Sequence, residues 1–180
     1  MRIDFNSKFL NFESISSIKQ NMQKLKNDGY QKAGKINMRD QDGKTVRGNV
    51  YVREDDRYIS VITTDNECEK VGYLEACPDF KEYHSAYRCS INNYKNLHPD
   101  RPWEIKGELK GYSGVGTRLY QALEEHLKEH HPEITRLHAY ITNAGSWMFH
   151  EKQGFVGHED GYDIYSIHPI DNIMRKNLKK

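Results

Sequence analysis

Apolar residues near the start of the chain recur at alternating steps of three and four. This spacing puts one apolar stripe on a helix, which we predict from about residue 14 to residue 27 and which Asp28-Gly29 ends. We expect the stripe to pack into the core rather than to bind a partner. Its members are Ile15, Ile18, Met22 and Leu25.

Between Tyr30 and about Ala76 the pattern changes to short β-favouring runs separated by turn residues. These runs predict an antiparallel meander, and they lie at residues 46–52, 58–63 and 71–74. Residues 77–101 show no clean period, so we predict an irregular loop with at most one helical turn. Such insertions often carry specificity, and the tyrosines of this one are a candidate acceptor wall, although a packed loop explains them equally well. They are Tyr83, Tyr87 and Tyr94.

After Pro102 the pattern becomes sharper. It predicts a strand at residues 103–109, a glycine turn, and a helix from about residue 117 to residue 129. Three further elements follow: a strand at 137–142, a short helix at about 146–152 and a strand near 162–167. This order predicts a mixed sheet with helices packed against it.

The composition describes one globular domain without a global electrostatic field. The chain has 180 residues, enough for one well-formed core, of which 36% are hydrophobic and 29% charged. The 27 basic and 26 acidic residues give a formal charge of +1, which disfavours nucleic acid or an anionic membrane as a partner. We predict that the basic tail at 175–180 is a frayed, solvated terminus.

Cysteine usage and hydropathy bear on where the protein works. Cys68, Cys77 and Cys89 are odd in number and lack C-x-x-C spacing, so we expect free thiols in a reducing compartment. No apolar run reaches membrane-spanning length, and the polar start lacks the apolar stretch of a secretory signal. We therefore predict a cytoplasmic protein, although one exported through other signals would look the same.

The candidate chemistry begins at Gly111, Gly114 and Gly116, between the predicted strand and the following helix. Glycine accepts positive φ and lets an anion approach without meeting a Cβ. The free N–H groups at a helix start, with the positive end of the helix dipole, then favour phosphate. Two familiar phosphate loops do not fit. A P-loop needs lysine and then serine or threonine after its last glycine, and a dinucleotide fingerprint needs glycine or alanine where Leu119 stands.

Spacing favours a third kind of phosphate loop. The core Gly114-Val115-Gly116 resembles the acyl-CoA loop of the GNAT acetyltransferase superfamily, whose pattern is Gln or Arg, two residues, then Gly-x-Gly or Gly-x-Ala. Gly111 departs from that pattern at the Gln/Arg position. A second stretch resembles the family's Asn-x-x-Ala-x-x-Phe-Tyr-Glu-Lys-x-Gly-Phe, with Ser146 replacing alanine and His150 replacing tyrosine. The matching positions are Asn143, Phe149, Glu151, Lys152, Gly154 and Phe155.

This resemblance covers about residues 103–155, the expected donor-site core, and it implies a fold and an activity. The implied fold is α/β, a central mixed, largely antiparallel sheet flanked by helices, with splayed fourth and fifth strands, in a single acyltransferase domain spanning residues 1–180. The pantetheine arm of acetyl-CoA or another acyl-CoA would lie in the gap between those strands. An amine would attack the thioester directly. Whether that acceptor is a small molecule or a protein is not fixed by these residues, and a homodimer stays open.

The resemblance also implies which residues hold the cofactor. The backbone near Leu109 would bind the pantetheine arm, and Asn143 would bond the cofactor. The diphosphate would lie against the loop formed by Gly111, Tyr112, Ser113, Gly114, Val115, Gly116 and Thr117.

For catalysis, the attacking amine must lose a proton and the departing thiolate can gain one. Tyrosine usually protonates the thiolate in the family, and His150 holds its place; an imidazolium with an ordinary pKa of about 6.5 is a stronger acid than a phenol at about 10. Packing or capping of its short helix explains His150 equally well. Glu104 and Glu108, on one face of the predicted strand, are candidate bases together with Glu75, although a surface carboxylate is the commoner fate.

Other functions stay open. The missing tyrosine and the unsettled base leave room for a catalytically silent acyl-CoA sensor. An enzyme that acetylates a charged RNA or interferes with a host pathway is a third hypothesis, and the near-neutral charge disfavours its RNA form. His126 and His130 could form half a metal site, with Glu129 and His131 close by. Since no third ligand stands at a convincing interval, we predict a solvated helix face and no metal.

Overall fold

A computed structural model describes residues 5–40, 42–78, 86–92, 112–141, 143–157 and 172–178, with the backbone alone described for 5–14 and 86–92. The predicted strands at 103–109 and 162–167 lie outside these residues. Within them the chain forms helices α1 (Phe5–Asn27), α2 (Val115–His130) and α3 (Ala144–Lys152). The strands are β1 (Gln31–Arg39), β2 (Thr45–Glu54), β3 (Ile59–Thr64), β4 (Lys70–Pro78), β5 (Ala86–Asn92), β6 (Arg136–Tyr140) and β7 (Ile173–Asn177).

The described strands form one mixed sheet in the order β1-β2-β3-β4-β5-β6-β7. Neighbouring strands are antiparallel except for β5 and β6, which run parallel. Their recorded pairing joins Ala86–Cys89 to Arg136–Ala139, so β5 extends three residues beyond it. This mixed sheet with helices confirms the predicted fold class, and the end of the parallel pairing is where a gap between strands could open.

An aspartate shapes each turn of the meander from β1 to β4, of which the sequence predicts β2, β3 and β4 but not β1. Oδ1 of Asp40, Asp55 and Asp65 accepts two backbone N–H groups apiece in the turns after β1, β2 and β3. A short side chain that satisfies the turn's own backbone donors favours the turn over a continued strand. Residues within each turn therefore specify where the four strands end.

The helices lie on two faces of the sheet. One core joins α2 and α3 to Val50, Val61 and Leu74. Tyr51 and Ile62, which alternate with those residues along their strands, pack with Leu25 of α1 in a second cluster. The side-chain alternation of the strands thus assigns α2 and α3 to one face and α1 to the other.

Gly72 of β4 allows α2 to approach the sheet closely. A Cβ at this position would lie 2.2 Å from Cγ1 of Val115 and 3.3 Å from Cδ1 of Leu119. Both residues are fully buried in the first turns of α2. The missing side chain at Gly72 therefore sets the position of the N-terminal end of α2 over the sheet.

Three predictions from the sequence are wrong. Residues 77–101 are not a continuous irregular loop, because β4 extends to Pro78 and β5 pairs with strands on both sides. The tail is not frayed over its length, because β7 pairs with β6 and Lys176 Nζ lies 2.6 Å from Oε1 of Glu124. The stripe of α1 packs only in part: Leu25 is buried, whereas Ile15 and Met22 are exposed.

None of the helices in the described part of the chain combines the length and the apolar character that a membrane span requires.

Candidate functional site

The N-terminal end of α2 presents backbone donors without a side-chain cap. Gly114 is the N-cap residue, and its φ of 88° and ψ of −11° lie in the left-handed region. No side chain makes a capping hydrogen bond at this end of the helix. The first helical bond runs from the Arg118 N–H to the Gly114 carbonyl. The N–H groups of Val115, Gly116 and Thr117 therefore have no acceptor within the helix. No acidic residue stands in this first turn, so the end of the helix is suited to an anion.

The loop before α2 is fixed to β1. Ser113 and Arg39 exchange backbone hydrogen bonds of 2.9 Å and 3.4 Å, and Tyr112 is buried in the core shared with α2. A Cβ on Gly114 would come no closer than 3.8 Å to the Asn37 carbonyl oxygen. Glycine is therefore required here by its positive φ rather than by crowding.

The second motif predicted from the sequence lies beside the first. Asn143 is the N-cap residue of α3, and its Oδ1 accepts the Ser146 N–H at 2.8 Å. At the far end of α3, Nε2 of Gln153 donates to Oγ1 of Thr117 at 3.0 Å. The structure thus brings the glycine loop and the α3 segment into direct contact.

His150 is buried and bonded at both ring nitrogens. Its Nδ1 lies 2.7 Å from the Ser146 carbonyl oxygen, which can only accept, so Nδ1 carries the proton in the neutral ring. Its Nε2 lies 2.8 Å from the Tyr120 hydroxyl, which then donates. Burial lowers the pKa of His150, and the hydrogen bond to the Ser146 carbonyl offsets only part of that effect.

The rings around His150 form an aromatic cluster between α2 and α3. Tyr120, Phe149 and Phe155 each have ring centroids 5.2–5.6 Å from the imidazole. This arrangement agrees with a packing role for His150. The acid role would require a second proton on the ring, and burial favours the neutral form. No sequence pattern pointed to Tyr120, since a tyrosine on an amphipathic helix is an ordinary core residue.

The lowered pKa of His150 predicts a pH dependence of stability. In the unfolded chain an imidazole titrates at about 6.5, so below that pH the unfolded state binds a proton that the folded state resists. The free energy of unfolding should therefore fall as pH drops through and below about 6.5, down to the lower folded pKa. The free energy of unfolding of His150→Phe should depend less on pH in this range, because the variant lacks the imidazole.

Urea unfolding of the wild type and of His150→Phe at pH 8.0 and pH 5.5 measures this difference. Titratable groups that both proteins contain affect both free energies equally, so they cancel when the two pH-dependent changes are subtracted. Equal losses of unfolding free energy in the wild type and in His150→Phe would contradict the burial of a neutral imidazole.

Of the three candidate bases, Glu75 lies away from this site, and Glu104 and Glu108 lie outside the described residues. Glu75 lies in β4 opposite Ser60 and Ser90, on the face that carries Tyr73 and α1. It is therefore across the sheet from α2 and α3. The remaining predicted residues Glu104, Glu108, Leu109 and Gly111 lie outside the described residues, as do Tyr83 and Tyr94.

At the opposite end of α2, the prediction of a solvated helix face is wrong for His126 and His131, whose side chains are largely buried against a carboxylate that was not predicted. Glu54, the last residue of β2, lies within hydrogen-bond distance of His126 and His131. Burial raises the pKa of Glu54, but the hydrogen bonds from both histidines outweigh it and lower the pKa overall. Burial likewise acts to lower the pKa of His131, and its bonds to Glu133 and Glu54 raise it overall. A helix of this length separates the cluster from the glycine loop by roughly 20 Å.

The described residues form a mixed α+β fold in which α2 begins at Gly114 with backbone donors and no side-chain cap. Residues 112–155 match the model of the family described as "Acetyltransferase (GNAT) family". The match begins at Tyr112 in the loop, spans α2, β6 and α3, and ends at Phe155. With the mixed sheet, it supports membership of the chain in the GNAT superfamily and confirms the resemblance seen in the sequence. Among curated proteins, no sequence matches this chain.

Proposed function

We propose that this protein is an N-acyltransferase that moves an acetyl group, or a related acyl group, from acyl-CoA to an amine. The observation that carries the proposal is the uncapped start of α2, where Gly114 has a positive φ and three N–H groups lack helical acceptors. The family match over the same segment supports acyl transfer in general. We further propose that residues 1–180 act as one catalytic domain in the cytoplasm.

The residues present fit the cofactor's diphosphate. The N–H groups of Val115, Gly116 and Thr117 would hold it, with the helix dipole adding a favourable field. In this proposal Leu109 and Gly111 continue the binding surface toward the pantetheine arm. Asn143 would contribute through its amide nitrogen, since its Oδ1 already caps α3.

When bound, acyl-CoA supplies a thioester whose carbonyl carbon is open to attack by a neutral amine. The carbon–nitrogen bond forms, the carbon–sulfur bond breaks, and the thiolate keeps the electron pair. Glu104 or Glu108 would take the amine proton, directly or through water. His150 would return a proton to the thiolate if it is the acid. A thiol pKa of about 8.5 also lets the thiolate leave with little help.

A thiol-release assay tests the proposal. Untagged protein with acetyl-CoA and a panel of primary amines should release CoA in an amine-dependent manner, above the rate of hydrolysis. If His150 is the acid, His150→Phe should lower turnover by at least about tenfold while CoA affinity is kept, because general acids contribute about a hundredfold or more. Unchanged turnover would reduce His150 to a packing role.

The second candidate is an acyl-CoA sensor that does not catalyse transfer. What favours it is His150 itself, which is buried and already bonded to Tyr120 and Ser146 at the position of the expected acid. The sensor hypothesis predicts CoA binding without thiol release on any amine and without hydrolysis. Amine-dependent release would exclude it.

A further inference from the structure

Three side chains with metal-binding atoms meet where β2 ends and α2 ends. Nε2 of His126 lies 2.7 Å from Oε2 of Glu54, and Nε2 of His131 lies 2.6 Å from Oε1 of the same carboxylate. The three potential ligand atoms all lie within 4.8 Å of one another. Two imidazoles and one carboxylate are a donor set that zinc commonly takes in proteins.

The hydrogen bonds of His131 select the nitrogen that would face a cation. Its Nδ1 lies 3.1 Å from Oε1 of Glu133, while its Nε2 points at Glu54. A neutral imidazole has only one N–H, so between two carboxylates one of its nitrogens would present a lone pair to an anion. A proton or a metal ion at Nε2 removes this conflict. With metal at Nε2, Glu133 would accept the Nδ1 hydrogen, as carboxylates do beside many metal-bound histidines.

The cluster is accessible from a cavity. All three ligand side chains are partly exposed, and they line a cavity of about 810 Å³ formed by residues of β1, β2 and α2. An ion could therefore enter, and a fourth position would stay open to water or another ligand. His130 also lines this cavity, with its ring centroid 4.5 Å from that of His126, but its side chain is half exposed.

Binding of an ion would require the ligand side chains to move. Metal bonds of about 2.0–2.1 Å in a tetrahedral arrangement put ligand atoms roughly 3.3 Å apart. The nitrogen–oxygen distances of 2.6 Å and 2.7 Å involve different oxygens of Glu54, and each would have to lengthen by roughly 0.6 Å. The carboxylate must also either bind through both oxygens or rotate, so that the three ligand atoms, which lie within 4.8 Å of one another, reach the required spacing. Rotation of the Glu54 and His131 side chains can provide this, because both are partly exposed.

We propose that Glu54, His126 and His131 bind a divalent transition-metal ion, with Zn²⁺ the best fit. The ion would join the end of β2 to the C-terminal end of α2, the helix whose other end carries the glycine loop. Three protein ligands leave one coordination position open to water or to another ligand in the cavity, so the site would be an open zinc site and not a closed structural one. This proposal does not rest on the proposed acyl transfer.

Zinc titration of chelator-treated, untagged protein tests the site, with a chromophoric chelator as competitor and calorimetry for stoichiometry. We expect one Zn²⁺ per chain and a rise in Tm. His126→Ala and Glu54→Gln should each weaken binding by at least about a hundredfold, and Glu133→Gln by about tenfold or more. The matched control is His130→Ala, which removes a neighbouring imidazole and should keep the wild-type affinity. Co²⁺ should give the visible absorption of a tetrahedral site.

Several outcomes would overturn the proposal. Absence of Zn²⁺ binding by the wild type would leave the cluster as a carboxylate with two hydrogen-bonded histidines. Equal affinity in the wild type and Glu54→Gln, or a loss in His130→Ala alone, would locate the ion on other residues. Glu54→Gln keeps the shape of the side chain, so it separates loss of a ligand from loss of fold, which circular dichroism checks. None of these readouts uses CoA, so they are independent of the acyltransferase proposal.

Discussion

Gly114→Glu should weaken CoA binding by at least about a hundredfold, measured by calorimetry. Two effects act together. A left-handed conformation costs a residue with a Cβ about 1–2 kcal/mol, and Gly114 has a φ of 88°. In addition, the new carboxylate would stand at the helix end where the diphosphate is expected, so like charges would meet. We expect the protein to remain folded, because the nearest atom to a Cβ at this position is 3.8 Å away.

The matched control for this variant is Gly43→Glu. Gly43 also has a positive φ, 76°, and a Cβ there would meet nothing within 4 Å. It lies in the turn between β1 and β2, so the substitution imposes the same backbone strain and the same charge away from the loop. Equal CoA affinities in Gly114→Glu and Gly43→Glu would contradict a role of the glycine loop in CoA binding.

Gly72→Ala should lower the free energy of unfolding by about 1–3 kcal/mol, which is typical of overpacking in a core. The added Cβ would lie 2.2 Å from Cγ1 of Val115 and 2.8 Å from Oγ1 of Thr63. Both contacts are too short, and Val115 is the first residue of α2, so the start of the helix must move. We therefore also expect weaker CoA binding. Urea unfolding and calorimetry measure the two effects.

Gly145→Ala is the matched control for Gly72→Ala, because it adds the same methyl group at a glycine that is not crowded. Gly145 is exposed in α3, and a Cβ there would make an ordinary contact of 3.4 Å with Oδ1 of Asn143. Alanine is the better helix former by about 0.5–1 kcal/mol, so this variant should be as stable as the wild type or slightly more so. If Gly72→Ala were equally well tolerated, α2 could not lie as close to β4 as described.

The sequence predicts those elements of the fold whose defining residues lie close together along the chain. Strands β2 to β4 of the meander were predictable because each turn contains an aspartate that bonds its own backbone. The helices α2 and α3 were predictable from apolar spacing and from the two motifs that begin at Gly111 and Asn143. In each case the residues that define the element lie within a few positions of one another.

The parts that were not predicted have two causes. From Tyr87 to Asn92 apolar and polar residues alternate, a strand pattern that the prediction of an irregular loop overlooked, and this segment pairs with β4 and β6. The other missed features depend on distant partners. The basic residues of β7 look like a solvated tail, but Lys176 has its partner Glu124 52 positions away. Glu54 meets His126 and His131 across 72 and 77 positions. No interval along the chain could have identified that carboxylate as their neighbour.

The central claim is that main-chain donors at the start of α2 hold the diphosphate of acyl-CoA. Amide NMR of ¹⁵N-labelled protein during titration with CoA tests it most directly, with pantetheine, which lacks the diphosphate, as the comparison. We expect CoA to shift the N–H signals of Val115, Gly116 and Thr117 strongly, and pantetheine to leave them in place. Saturating CoA that leaves these three signals unmoved, or pantetheine that moves them equally, would contradict the account.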